Sequence, residues 1–141
     1  MRSLAEIEKR IETEAFDGPA AEMATQMLAL GEDVLEHWAA AKRLAPTRAK
    51  VQGFRLLALH RQGATGDPSF NACRETCREL VYHYNLIILE PDRADTARRL
   101  RMMRMVLAHI CYFVSGKMQI AELGEFCCSS RVLRLNEELS G

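Results

Sequence analysis

Apolar residues along this chain recur at intervals of three and four almost from end to end, which is the period of a helix face. Ser3 and Glu6 form the S-x-x-E pattern of a capping box, and Leu4, Ile7 and Ile11 follow on one face of a short first helix within Ser3–Phe16. Asp17-Gly18-Pro19 breaks that helix, and Pro19 suits the first turn of the next. The second helix is predicted from about Pro19 to about Leu44, with Met23, Met27, Leu30, Val34, Trp38 and Ala41 as its stripe; Gly31 interrupts it without breaking the pattern. Pro46-Thr47 marks a boundary. A third helix carries Val51, Phe54, Leu57 and Ala58 and ends near Gly63.

The run from Gly63 to Pro68 is the clearest loop in the chain, with Asp67 placed to cap a fourth helix and Pro68 at its first position. Cys73, Cys77, Leu80, Tyr84 and Ile87 line one face of that helix, and Pro91 stops it. Asp95 caps a fifth helix whose stripe is Leu100, Met103, Val106, Ile110 and Phe113. From Met102 to Val114 it is apolar almost all round, the mark of a central helix, and Gly116 is expected to end it. One or two further helices follow, carrying Ile120, Leu123 and Phe126, then Val132, Leu135 and Leu139.

Strand signals are almost absent, since the β-branched and aromatic cluster from Val81 to Leu89 lies inside a helical period. The expected fold is therefore all-α: an antiparallel helical bundle of four main helices, with short additional helices at both termini. It forms a single helical domain over residues 1–141, because no linker or repeat divides the chain. The short loops predict antiparallel neighbours. Leu57, Leu80, Tyr84, Met103, Val106 and Ile110 are expected to be buried together.

Charge changes this picture only locally. The 19 basic and 19 acidic side chains cancel, so the chain is not a generic polyanion binder. They are unevenly distributed, however. Residues 1–36 hold nine acids and three bases, whereas residues 42–61 hold six bases and no acid. Residues 92–117 add six bases against two acids, with Arg98, Arg101 and Arg104 the candidate anion-binding residues among them. The acidic first third can pair with the basic third helix within one chain or across a dimer. Nucleic acid is not the expected partner, because no aromatic interleaving and no recognition-helix motif accompany the basic residues.

Five cysteines, an odd number, and an N-terminal stretch without an apolar h-region predict free thiols and a cytoplasmic location. No membrane span is expected, since the longest apolar candidate, Met102 to Val114, is broken by Arg104 and His109. Cys73 and Cys77, four apart, share a helix face, and two thiolates so placed can clasp one soft metal ion. His109 and Cys111 on the next helix complete a candidate metal set of Cys73, Cys77, His109 and Cys111, in a bundle that would carry a soft metal or haem. Core packing is the competing explanation, because both thiols of the fourth helix lie on its apolar stripe.

The four histidines fall one per main helix, and equal offsets from the helix ends put His37 and His83 at one level, at roughly 1.5 Å of rise per residue. His60 and His109 fall nearer the opposite end, so a single four-histidine site is excluded. His37 is expected beside Trp38 on a partly exposed flank. No Glu-x-x-His pair, Gly-rich phosphate loop or Gly-x-Ser-x-Gly elbow is present, and no catalytic residue is assigned. The leading functional expectation is a non-enzymatic helical protein of regulatory or adaptor type. It would act through protein contacts, with itself as a homodimer or with another protein, and needs no cofactor. A soft-metal or haem bundle, and an anion binder using the basic helices, are the alternatives.

Overall fold

A computed structural model describes residues 2–121, and these build an all-α bundle. Its helices are α1 (Leu4–Glu12), α2 (Ala20–Ala41), α3 (Arg55–Ala64), α4 (Arg74–Leu89) and α5 (Thr96–Ala121), with a 3₁₀ turn at Pro68–Cys73. The expected helices carrying Leu123 and Phe126, then Val132, Leu135 and Leu139, lie outside the described residues. No helix among the described residues is long and apolar enough to cross a membrane.

Local chemistry accounts for the boundaries. The Ser3 hydroxyl accepts the Glu6 N–H at 3.1 Å, which is the side-chain half of the capping pattern. Pro19 precedes α2 as its cap. The connector 42–54 carries the positive φ angles of Arg43, Gln52 and Gly53, which end helical propagation. Gln62 and Arg55 then hold this connector: the Gln62 side chain bonds Thr47 N and Ala45 O, and Arg55 Nε bonds Thr47 O. As a result α3 begins at Arg55, later than the apolar pattern suggests, with Val51 and Phe54 paired in a tight turn before it.

Two other boundaries differ from expectation. Asp67 makes no side-chain cap to a helix; its carboxylate instead takes the Ser69 hydroxyl at 2.6 Å and the Lys117 ammonium at 3.0 Å. Gly116 does not end α5, which continues to Ala121 because Met118 beyond it is still drawn into the core.

The core runs through all five helices. Ile7, Leu30, Leu56, Leu80, Leu107 and Ile110 are all 0% exposed. Of the expected core, Leu80, Met103, Val106 and Ile110 are buried, whereas Leu57 and Tyr84 are only partly so. The inward face of α3 carries Leu56, Ala58 and Leu59; of the expected stripe Ala58 is buried, whereas Leu57 is only partly so. At Gly31 three helices approach closely, since a Cβ there would lie 2.9 Å from Leu80 and 3.1 Å from Leu56.

Side-chain contacts fix the helix directions. Ser115 meets Glu8 and Arg104 meets Glu14, so α1 is antiparallel to α5; Arg2 meets Asp33 and Arg10 meets Gln26, so α1 is antiparallel to α2 as well. The short connection between α4 and α5 returns the chain on itself. The departure is α3, which runs in the same direction as α2: Leu56 faces Gly31 and Gly63 faces Trp38. The connector 42–54 is long enough to carry the chain back along α2, and so removes the short-loop premise for an antiparallel return. With it goes the shared level of His37 and His83. His37 instead bonds the Arg2 carbonyl and His83 lies beside Glu79. The charge blocks meet within one chain, where Arg55 pairs with Glu36 and, at 3.6 Å, with Glu32.

Candidate functional site

The parallel run of α3 beside α2 delivers its last turn to Trp38, and the 3₁₀ turn then drives Phe70 into the bundle. Phe70 is 0% exposed and stacks on Trp38 with ring centroids 5.2 Å apart and on His60 at 5.4 Å. Gly63 makes this possible: a Cβ there would sit 2.7 Å from Trp38 and 2.9 Å from Phe70. The Gly63 carbonyl accepts both the Trp38 indole N–H and the Lys42 ammonium, each at 3.1 Å. Lys117, bonded to Asp67 and Ser69, closes the same corner from α5.

Around the Phe70 backbone polar groups gather inside the buried structure. Its carbonyl oxygen is 3.1 Å from His60 Nε2 and 3.4 Å from Cys73 Sγ. A carbonyl only accepts, so Nε2 carries a proton and donates it. Cys73 caps the start of α4 and is 2% exposed; Cys77, one turn on, is 0% exposed. A hydrogen bond from Cys77 favours the Cys73 thiolate. Burial opposes it and the neighbouring His60 assists, and together these bring the Cys73 thiol down to about 6. The same pairing, with burial, pushes Cys77 well above the ordinary thiol value.

Outside this pair lies an open cavity of about 240 Å³, walled by His60, Arg61, Asn71, Arg74 and Arg78 and floored in part by Leu57. Among the described residues no carboxylate lines it. Arg78 shares its charge with Glu75 at 3.4 Å, while Arg61 and Arg74 have no acidic partner within ion-pair distance among the described residues. The basin is thus a concave surface of like positive charge, with an amide and an imidazole edge beside it.

The candidate metal set is divided. Cys73 and Cys77 are together, but His109 is exposed on the outer face of α5, against Thr76, Glu79 and Met105. Cys111 is buried on another side of α5, where burial, with the Glu8 charge adding to it, pushes its thiol up to about 12. Among the described residues no three His, Cys, Asp or Glu side chains group as metal ligands. The candidate anion set is divided too. Arg98 and Arg101 are exposed, but Arg104 turns inward to the Ile11 carbonyl and the Glu14 carboxylate, at 3.4 and 3.0 Å.

Arg74 and Arg78 were not singled out by periodicity, although the run Cys73-Arg74-Glu75-Thr76-Cys77-Arg78 contains the signal. Each cysteine is followed by an arginine, so one helix turns a thiol pair inward and a guanidinium pair outward. His60 and Asn71 carried no such mark, because their role depends on how α3 and the 3₁₀ turn meet. No protein-family model matches the chain, and neither the curated proteins nor the solved structures contain a match to it.

Proposed function

We propose that this chain is a non-enzymatic helical binding protein of the cytoplasm that takes a small anionic group, phosphate or a phosphorylated metabolite, in the basin between α3 and α4. One observation carries the reading: among the described residues, three guanidinium-bearing side chains and no carboxylate line a cavity of about 240 Å³. Like charges held this close repel, and the repulsion is relieved when an anion enters. Guanidinium forks suit oxyanions, since they can bond two oxygens at once. Cys73 does not line the cavity, which favours binding over nucleophilic catalysis there.

Calorimetric titration with inorganic phosphate and with nucleoside mono- and diphosphates tests it. Binding is expected to weaken as salt rises. Arg61→Ala with Arg74→Ala should reduce affinity at least tenfold, while Arg98→Ala with Arg101→Ala should leave it unchanged. Affinity equal in the first double variant and the wild type refutes the proposal.

A second reading, contact between two copies of this chain, is favoured by the exposed Met102, Met105 and Tyr112 on α5. Met102 and Met105 edge a groove of about 200 Å³ against α4. The stripe of α1 does not serve this purpose, because Ile7 and Ile11 are buried within the chain itself. Sedimentation equilibrium decides: a dimer split by Met105→Glu supports the reading, and a single species at 16.0 kDa refutes it.

A further inference from the structure

We infer that Cys73 and Cys77 form a two-coordinate site for a soft cation, copper(I) in its biological form, beneath the basin. Spacing favours an ion over a disulfide. Residues four apart on a helix hold their Cβ atoms about 5–6 Å apart, whereas a disulfide needs about 3.5–4.5 Å. Two sulfur–metal bonds of about 2.3 Å laid in line span about 4.6 Å, a reach suited to one thiol at the α4 N-cap and one a turn further on. Both thiols are buried on the inner side of the bundle, and Cys73 Sγ already makes one polar contact there, at 3.4 Å to the Phe70 carbonyl.

Ligand number selects the metal. With no third His, Cys, Asp or Glu grouped to ligate among the described residues, the site lacks the four donors that structural zinc requires. Two soft thiolates suit a d10 monovalent ion that accepts linear coordination. Its burial, with Cys73 at 2% and Cys77 at 0% exposed, shields such an ion from water.

Charge is also provided for. Binding releases both thiol protons and changes no oxidation state: one copper(I) and two thiols give a bis-thiolate complex of charge −1 and two protons. A buried net charge is costly unless it is met by opposite charge. Here the α4 N-terminus, capped by Cys73 itself, contributes the positive end of the helix dipole. His60 lies beside Cys73, and Arg61 and Arg74 stand on the far side of the imidazole in the basin wall. His60 is the partition between basin and thiols, and so marks the route of entry.

The test is anaerobic titration of the full chain with copper(I) against a competing bicinchoninate chelator. Near-ultraviolet thiolate-to-copper absorption and X-ray absorption supply the readouts. One equivalent should bind with two sulfur neighbours. Cys73→Ser with Cys77→Ser should abolish it, whereas Cys127→Ser with Cys128→Ser should retain it. If the first double variant does not fold, either single variant, Cys73→Ser or Cys77→Ala, carries the same decision, since loss of one thiolate should abolish the two-sulfur site. An equivalent that survives the first double variant, or is lost with the second, overturns the proposal. So does the wild type forming a Cys73–Cys77 disulfide with hydroperoxide while binding no copper(I). Arg61→Ala should retain the equivalent, so the metal and the anion readings fail separately.

Discussion

Replacing Gly63 by alanine puts a methyl group into the contact between Trp38 and Phe70. In an open helix this change stabilises, by up to about 1 kcal/mol for an interior position and less in a last turn, where Gly63 lies. Here the added Cβ would meet Trp38 Cδ1 at 2.7 Å and Phe70 Cε2 at 2.9 Å. Both are ring atoms of stacked, buried side chains that cannot yield by rotating a flexible end. Overpacking of this kind costs about 1–3 kcal/mol. Tilting the indole also stretches its 3.1 Å bond to the Gly63 carbonyl, at about 1 kcal/mol. The costs exceed the gain, and a net loss of about 1–3 kcal/mol is expected. Urea denaturation followed by fluorescence measures it directly, because Trp38 is the sole tryptophan. The native emission should shift as well. Gly116→Ala is the control: nothing among the described residues approaches its Cβ position within 4 Å, so it should stabilise by about 0.4–1 kcal/mol. A Gly63→Ala protein as stable as the wild type, with unchanged emission, would refute the packing at Phe70.

Leu56→Ala should cost about 2–5 kcal/mol and Leu57→Ala distinctly less, which denaturation midpoints of the two variants will show. Ile110→Ala, at a fully buried position of α5, should also cost about 2–5 kcal/mol in the same assay. Hydrogen bonds from Ser69 and Lys117 hold the Asp67 carboxyl below its usual value. Its contribution is therefore complete above the unfolded-state pKa and lost as pH falls through the lower, folded one. Asp67→Asn should be less stable than the wild type at pH 7, and thermal melts should show the gap closing in acid. Cys111 has the opposite sign, since burial raises it to about 12: stability should fall as pH rises from about 9 toward that value, and Cys111→Ala should lose less over the same range.

The helices were legible because their evidence is local. A period of 3.6, capping residues and three proline breaks place α1, α2, α4 and α5 to within a few residues. Gly116 misled because a lone glycine reads as a stop, whereas the packing of Met118 beyond it keeps α5 going. The α3 stripe was only partly legible, for a different reason. Val51, Phe54, Leu57 and Ala58 make a plausible stripe, but Arg43, Gln52 and Gly53 bend the connector into a turn, and the helix then begins only at Arg55. Its direction followed from that connector, whose anchoring depends on Gln62 and Arg55 reaching back to residues 45–47. Such contacts join residues distant in sequence and leave no periodic trace. The candidate site divides along the same line. The thiol pair was visible because it lies on one helix, while His60 joins it only through the way α3 meets the 3₁₀ turn.

Phe70 ties the core to both proposed sites. Its ring is held between Trp38 and His60, and its carbonyl accepts from His60 and Cys73. Any displacement of the ring therefore moves the imidazole that walls the basin and the thiol that starts α4. The reverse also holds. Ionising Cys73 removes a donor from the Phe70 carbonyl and leaves a negative sulfur 3.4 Å from that oxygen, so the thiolate is tolerated only where Cys77, His60 or a bound cation compensates. The two proposed ligands also draw on the same cations. The copper(I) bis-thiolate carries a charge of −1, phosphate is an anion, and Arg61 and Arg74 in the basin wall face both. Each ligand should therefore weaken the other, and by linkage both by the same factor. Parallel titrations, each with the other ligand saturating, measure that factor. Mutual weakening that disappears in Arg61→Ala with Arg74→Ala supports shared compensation, and mutual strengthening refutes it.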